Sequence, residues 1–281
     1  MSACDCLVCG GTLGPARLPG LLGCGDCGFK TAAAGLEAGQ LERLYGERYF
    51  LGEEYADYLA ERRIIEKNFL RRLATLLPYV REPKASRLLE IGCAYGFFLS
   101  LACDVFSRVE GIDISKPAID YATRAGLTVR CGDFLVEEVR GPIDVACLWD
   151  TIEHLARPDL YVAKLATLMG RGGVVAITTG DIDSLLARLR GRRWRQIHPP
   201  THLHYFSRRT LQLLLERHGF SLRYVGYDGN YRSLDMIAYI TLVNRQGCPR
   251  AYAALKRLGL LNWDLYINLR DIVYVIAEKQ E

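Results

Sequence analysis

The sequence predicts an α/β protein: a doubly wound, mostly parallel sheet of seven strands behind a small cysteine-rich module. Three observations carry this. From residue 86 onward, short apolar runs alternate with helical segments, the pattern of βαβ units with helices on both faces of a sheet. Seven runs read as strands: Arg87–Ile91, Arg108–Ile112, Thr128–Cys131, Ile143–Leu148, Val174–Thr178, Leu222–Tyr227 and Ile272–Glu278. Five of the ten cysteines fall within the first 27 residues, so the start of the chain is built differently from the rest. With 281 residues, 50% hydrophobic and 24% charged, the chain can bury a large core. Disordered and low-complexity classes are excluded.

The 36 basic residues exceed the 32 acidic ones by only four, which argues against a nucleic-acid partner, since that binding draws on clustered cations. No apolar run approaches the ~20 residues that span a bilayer. Cys and Gly occupy the place of a secretory apolar stretch, so the expected location is cytoplasmic.

The module at residues 1–34 reads Cys6-Leu-Val-Cys9-Gly and then Cys24-Gly-Asp-Cys27-Gly, with fourteen residues between Cys9 and Cys24. Two C-x-x-C-G knuckles at that separation present four thiolates to a tetrahedral Zn²⁺. The glycine after each pair lets the chain turn so that amides approach the sulfurs. Cys4 can stand in for Cys6. A disulfide pair needs an oxidising compartment, and a redox C-x-x-C lacks its βαβ context. Asp5 and Asp26 offset Arg17 and Lys30, so the module reads as a structural zinc ribbon packed on the chain and not as an RNA grip. The five scattered cysteines (Cys93, Cys103, Cys131, Cys147, Cys248) read as small apolar residues.

Residues 35–82 read as a helical linker. Leu36–Tyr45 has good helix formers, and Glu53–Leu77 is one amphipathic helix ended by Pro78. Tyr45, Tyr49, Phe50, Tyr55 and Tyr58 form an aromatic stretch suited to a lid. Residues 83–281 carry the sheet, with a helical insertion at about 230–265, a candidate homodimer interface.

The first sheet strand runs into Glu90-Ile-Gly92-Cys93-Ala94-Tyr-Gly96-Phe97. A glycine-rich turn between strand and helix brings amides close to a ligand. A dinucleotide fingerprint would need glycine at 94 and 97, and Phe97 obstructs a pyrophosphate. Glu90 suits a cationic ligand group instead. Asp113, at the end of the second strand, can hold a ribose diol or cap a helix beside Ser115. Asp133 can take an adenine amino group, with Phe134 against the ring, or form a turn. The fourth strand ends in Trp149-Asp150-Thr-Ile-Glu153-His154-Leu155. All these segments meet at the carboxyl edge of one sheet, where open α/β sheets bind ligands.

In that order and spacing, the chain resembles class I S-adenosylmethionine-dependent methyltransferases over about residues 86–281. Glu90-x-Gly92-x-x-x-Gly96 is similar to their motif I, Gly111-Ile-Asp113 to motif II, Gly132-Asp133 to motif III and Asp144–Leu155 to motif IV. The pattern Trp194, Pro200, His202-Leu-His204-Tyr-Phe206-Ser207 and Gly219-Phe220 resembles a subgroup of ubiquinone-pathway and polysaccharide methyltransferases, some with a zinc ribbon. Ala94 departs from the glycine many members have. The resemblance implies a Rossmann-like methyltransferase fold and S-adenosylmethionine as cofactor. The backbone around Gly92, Cys93, Ala94 and Gly96 would hold its methionine part, with Glu90 organising that loop, Asp113 would hold the ribose hydroxyls, and Asp133 and Phe134 would contact the adenine. Asp150 and His154 would sit near the sulfonium and the acceptor, with Ile114 and Trp149 also counted among the cofactor residues.

An O, N or C acceptor must lose a proton at some stage, and a neutral histidine suits that work. His202 and His204 are the first candidates for the base, with His154 next. The His-x-His pair can also simply lead into a helix that starts near Ser207. Arg188, Arg190, Arg192, Arg193 and Arg195 suit an acceptor bearing phosphate, or form a solvated helix end. The expected acceptor is a small molecule: a sugar, glycan precursor or other metabolite. RNA, or a cofactor-binding role without catalysis, are the alternatives.

Overall fold

The computed structural model describes residues 5–33 and 58–280. The helix at Leu36–Tyr45, the aromatic stretch Tyr45–Tyr55, Cys4 and the first residues of the Glu53–Leu77 helix lie outside the described residues. The chain opens with three short antiparallel strands, β1 (Leu13–Pro15), β2 (Leu21–Cys24) and β3 (Lys30–Ala32). Helix α1 (Arg62–Leu76) follows, shorter than the apolar periodicity predicts, because residues 58–61 form a turn. Its stripe of Ile65, Phe69, Leu73 and Leu76 packs on the sheet domain. Pro78 closes it in a 3₁₀ turn.

The main sheet then builds in alternation: β4 (Arg87–Ile91), α2 (Phe97–Ala102), β5 (Arg108–Asp113), α3 (Lys116–Arg124), β6 (Val129–Cys131), β7 (Val145–Trp149), α4 (Pro158–Leu168), β8 (Val174–Gly180) and α5 (Leu185–Arg190). Next come the short β9 (His204–Tyr205), α6 (Arg208–Arg217), β10 (Phe220–Ser233), α7 (Leu234–Ala238), a π-helical segment Tyr239–Arg245, α8 (Pro249–Arg257) and β11 (Asp264–Lys279). The seven strands lie in the order β6-β5-β4-β7-β8-β11-β10, with only the contacts of β11 antiparallel. All seven predicted strands are present.

Strands buried on both faces read as continuous apolar runs, and the core explains why. Leu89, Ile91, Ile112, Ala146, Leu148, Val175, Ile177 and Val275 face the layer holding α4 and α6. Leu88, Val109, Val145, Cys147, Val174, Ala176, Tyr274 and Ile276 face α1 and α2. Cys93 and Cys147 behave as buried apolar residues, whereas Cys103, Cys131 and Cys248 are exposed. Helix α6 starts from a reciprocal cap, with the Ser207 hydroxyl accepting from the Thr210 amide and the Thr210 hydroxyl accepting from the Ser207 amide.

The predicted insertion needs one correction. Its ends are strand, because β10 and β11 continue past the sheet as a two-stranded ribbon paired from Asn230↔Ile267 to Ser233↔Asp264. Only α7, the π-helical segment and α8 are helical, at the ribbon's tip. No helix among the described residues is long and apolar enough to cross a membrane.

The cysteine module is not a separate bead. Strand β3 pairs with β9, so a second sheet, β1-β2-β3-β9, joins the start of the chain to residue 205.

Candidate functional site

A cleft of about 500 Å³ opens at the carboxyl edge of β4, β5, β6 and β7. Ten of the predicted cofactor residues line it: Glu90, Gly92, Cys93, Ala94, Asp113, Ile114, Asp133, Phe134, Trp149 and Asp150. Gly96 does not. It begins α2 with φ +75°, and a Cβ there would meet Leu127 at 2.4 Å. Gly92 (φ +77°) is tied to the cleft itself, since a Cβ would strike Thr151 at 2.5 Å. Between them Ala94 is also left-handed, at φ 45°, a conformation that glycine adopts without strain.

The acids of the cofactor half are set by backbone amides. Asp113 accepts from the Ala94 amide through one carboxylate oxygen and from the Ser115 amide through the other, each at 2.8 Å. Burial still pushes its carboxyl up from the ordinary value. Asp133 accepts from the Leu135 amide and from the Tyr161 hydroxyl. Glu90 is fully enclosed, and its Oε2 has no protein partner. Burial, and then the nearby Asp113 charge, push its carboxyl well up. A buried acid without a donor, beside a left-handed glycine turn, fits a ligand bearing a cationic donor. These residues can hold S-adenosylmethionine.

Arg72 is a site residue that sequence reading missed. It comes from α1, is 5% exposed, and reaches under the cleft. Its Nη2 donates to Asp150 at 2.8 Å and its Nε to Asp228 at 2.9 Å. Burial opposes the charge on Asp150, but the Arg72 guanidinium outweighs it and holds the carboxyl below its usual range. Asp150 is itself left-handed (φ 51°), its amide donating to the Thr178 hydroxyl at 3.0 Å. One signal existed: Arg72 falls on the apolar stripe of α1, between Phe69 and Leu76.

The cleft is also lined by Glu153, His154, His202, Arg195, Gln196, Asn230 and Arg232. The structure brings His154 and His202 together, with ring centroids 4.6 Å apart. Glu153 joins them, and one ligating atom of each lies within 4.8 Å of the others. Burial lowers His154 to about 4 and His202 to about 3, so both rings are neutral near pH 7. Burial, then Asp150, raise Glu153 to about 8. Glu153 is a second residue without a role in the sequence reading. It stands in motif IV, but only the fold places a carboxylate oxygen of Glu153 beside two histidines.

His204 is placed differently from His202. It sits on β9, away from the cleft lining, with Nδ1 3.0 Å from the Thr31 hydroxyl and its ring against Phe29. The five arginines do not converge either. Arg195 reaches the cleft, bound to Asp271 at 3.1 Å, while Arg188 lies 4.0 Å from Asp183 outside it.

The four predicted cysteines form one cluster. Cys6 and Cys27 sulfurs are 3.5 Å apart, as are Cys9 and Cys24, and all four lie within 4.8 Å. Tetrahedral zinc–thiolate bonds of about 2.3 Å require sulfurs about 3.8 Å apart, so the set fits that ion. Gly10 and Gly28 are left-handed, as the knuckles demand. Burial opposes ionisation of Cys24, but the amides of its own knuckle bring the thiol down to about 7.

A family model described as a methyltransferase domain matches residues 58–225, more than half the chain. The ubiquinone biosynthesis O-methyltransferase of Caulobacter sp. (strain K31) is 30% identical over 101 residues, 33% of this chain and 40% of that protein. That of Maricaulis maris (strain MCS10) is 28% identical over 151 residues, 49% of this chain and 59% of that protein. The chain thus spans less than two thirds of the length of these relatives. Among solved structures, magnesium protoporphyrin IX methyltransferase from Synechocystis PCC 6803, with bound SAH, aligns at a TM-score of 0.57. It covers 87% of this chain and 100% of that one at 13% identity. An S-adenosylmethionine-dependent methyltransferase from Clostridium acetobutylicum ATCC 824 aligns at 0.52 and 9% identity, covering 77% and 92%. Those two likenesses are of fold. With the family match running from the cleft wall at Tyr58 into β10, the chain belongs to the methyltransferase-domain family and carries the class I S-adenosylmethionine-dependent methyltransferase fold.

Proposed function

We propose that this chain is an S-adenosylmethionine-dependent methyltransferase acting on a small molecule, such as a sugar, a glycan precursor or another metabolite. The observation that carries the reading is that one cleft is lined by two kinds of residue. The acids Glu90, Asp113 and Asp133, which suit the cofactor, share it with His202, His154 and Glu153, which suit an acceptor. A volume of about 500 Å³ belongs to the small-molecule class of sites.

When bound, the cofactor supplies an electrophilic methyl group on a sulfonium, and transfer is an in-line displacement. The protein's work is then to align the acceptor, exclude water and accept a proton. Glu90 and the Gly92–Ala94 turn hold the methionine part, Asp113 the ribose, and Asp133 with Phe134 the adenine. His202 is the base, with the neutral His154 ring beside it. Arg195 and Arg232 meet a phosphate or carboxylate on the acceptor. The four cysteines hold a structural Zn²⁺. In the ribbon Asp5 and Asp26 offset Arg17 and Lys30, which leaves no cation excess to favour RNA. A homodimer would use the tip near α8, where Trp263 and Leu258 are exposed.

The test is transfer of a labelled methyl group into extract, sorted into small-molecule, glycolipid, RNA and protein fractions. Label in a small-molecule or glycan fraction, absent with Asp113→Ala, is the expected result. Label in RNA would overturn the acceptor class.

A further inference from the structure

The segment from Ile182 to Phe206 leaves the sheet after β8, delivers Arg195, Gln196 and His202 to the cleft, and returns to α6. Among the described residues its regular structure is one short helix, a 3₁₀ turn and two residues of strand. Such a segment needs outside support to hold side chains at defined points. The cysteine module meets it at both ends.

At the first end, Leu21 packs with Ile182, Ala187, Trp194 and Tyr205, and Leu18 and Ala16 lie against the same group. At the second end the contact is a hydrogen-bonded ladder. Lys30 pairs with Tyr205 and Thr31 with His204. The Leu203 carbonyl accepts from the Ala32 amide at 2.8 Å and from the Thr31 hydroxyl at 3.0 Å. The Leu203 amide donates to the carbonyl of Glu153 at 2.9 Å. One residue, Leu203, therefore joins the ribbon to the loop that carries Glu153 and His154. His202 is the next residue back, and its carbonyl accepts from the Tyr205 hydroxyl at 3.0 Å. Behind the ladder Phe29 lies between His204 and Phe206, in the same apolar cluster as Cys6, Cys24 and Cys27.

We infer that the cysteine ribbon is the scaffold of the acceptor wall, and that Thr31 is a positioning residue acting on His202 through Leu203. The cofactor half is held by different bonds. Glu90, Gly92, Ala94 and Asp113 are fixed by the β4–β5 pairing and by Asp113 on the β4–α2 turn, none of these bonds going to the ribbon, although Leu89, Ile91 and Ile112 share the apolar cluster of Cys6, Cys24 and Cys27. Loss of the ribbon's metal therefore loosens the wall that presents His202 and leaves the cofactor end in place. This rests on the reading that the two halves of the cleft serve cofactor and acceptor.

The test uses the full chain loaded with Zn²⁺, with histidine rings isotopically labelled for NMR and SAH affinity measured by calorimetry. Thr31→Val keeps the β-branched shape and removes the hydroxyl, whereas Thr31→Ser keeps the hydroxyl. The expected result is that Thr31→Val moves the ring signals of both His204 and His202, Thr31→Ser restores them, and the Kd for SAH changes less than about threefold. Stripping the metal with a chelator should broaden or shift the His202 and His154 signals while SAH still binds. Movement of His204 alone, in both experiments, would overturn the inference. So would loss of SAH binding on metal removal, which would make the ribbon a support of the whole domain. Neither readout uses an acceptor, so failure to label small molecules would leave this result standing.

Discussion

Replacing Arg72 with methionine removes one cation from between two acids. The methionine keeps most of the volume beside Phe69 and Trp149, whose rings the guanidinium approaches at 5.7 and 5.5 Å. Asp228 is 10% exposed and Asp150 41% by side chain, so the first carboxylate is left nearly dry and the second can regain some water. Breaking a fully buried pair costs about 3–5 kcal/mol, and the exposure of Asp150 brings the expected loss to about 2–4 kcal/mol at pH 8. The pH dependence separates this account from lost packing. In the wild type, Arg72 holds Asp150 below its usual value, so this contribution is present above the unfolded value of about 4 and is lost as pH falls through the lower folded value. In Arg72→Met Asp150 loses the cation that holds it down and its folded value rises, while the nearly dry Asp228 is left without its ion partner, so the variant loses stability as pH climbs above about 4. The deficit measured by urea unfolding should therefore shrink between pH 8 and pH 5. Asp228→Asn in the Arg72→Met background should recover part of it. A deficit that is the same at both pH values, and unmoved by Asp228→Asn, would refute a charge role for Arg72.

Four further outcomes can be checked. Ala94→Gly relieves a left-handed alanine and should stabilise the chain by about 0.5–1 kcal/mol after glycine's own entropy cost, read as a rise of a few degrees in Tm; an unchanged or lower Tm counts against strain at Ala94. Asp113→Ala should weaken SAH by about 10–100-fold in calorimetry, since a charged acceptor of two hydrogen bonds is lost; unchanged affinity would remove Asp113 from the ribose site. His202→Ala should lower transfer by at least about 100-fold with SAH affinity kept, and near-normal turnover would remove the base. Glu153 is raised to about 8 in the fold from about 4.3 unfolded, so the native state binds the extra proton between those values and stability falls as pH rises across them. Glu153→Gln lacks this slope, and melting curves at pH 5 and pH 8 should shift in the variant's favour at the higher pH.

What the sequence made legible was whatever depends on local order. The strand at Arg87–Ile91 was readable to the residue because Leu88, Leu89 and Ile91 are buried in a sheet covered on both faces, which favours apolar residues on both sides, and Glu90 among them marks the ligand edge. Gly92, Asp113 and Asp133 were readable because each sits where its own strand ends, so spacing along the chain is also position in the cleft. Four cysteines in two knuckles carry their geometry with them.

What was not legible depends on segments meeting across long separations. Arg72 lies 78 residues before Asp150 and 156 before Asp228, and nothing in the helix pattern marks it as more than a cation on an apolar stripe. The histidines make the sharper case. His202 and His204 are two residues apart and chemically identical, so sequence can offer both as the base. In an extended segment, alternate side chains should leave on the same side, which would put both in the cleft. The structure separates them because β9 begins only at His204, and its alignment there is set by Thr31, 173 residues upstream. His202, still outside the strand, is free of that alternation, and its ring meets His154 instead. Which histidine faces the cleft thus depends on the β3–β9 pairing, a contact that the ribbon's own sequence does not announce.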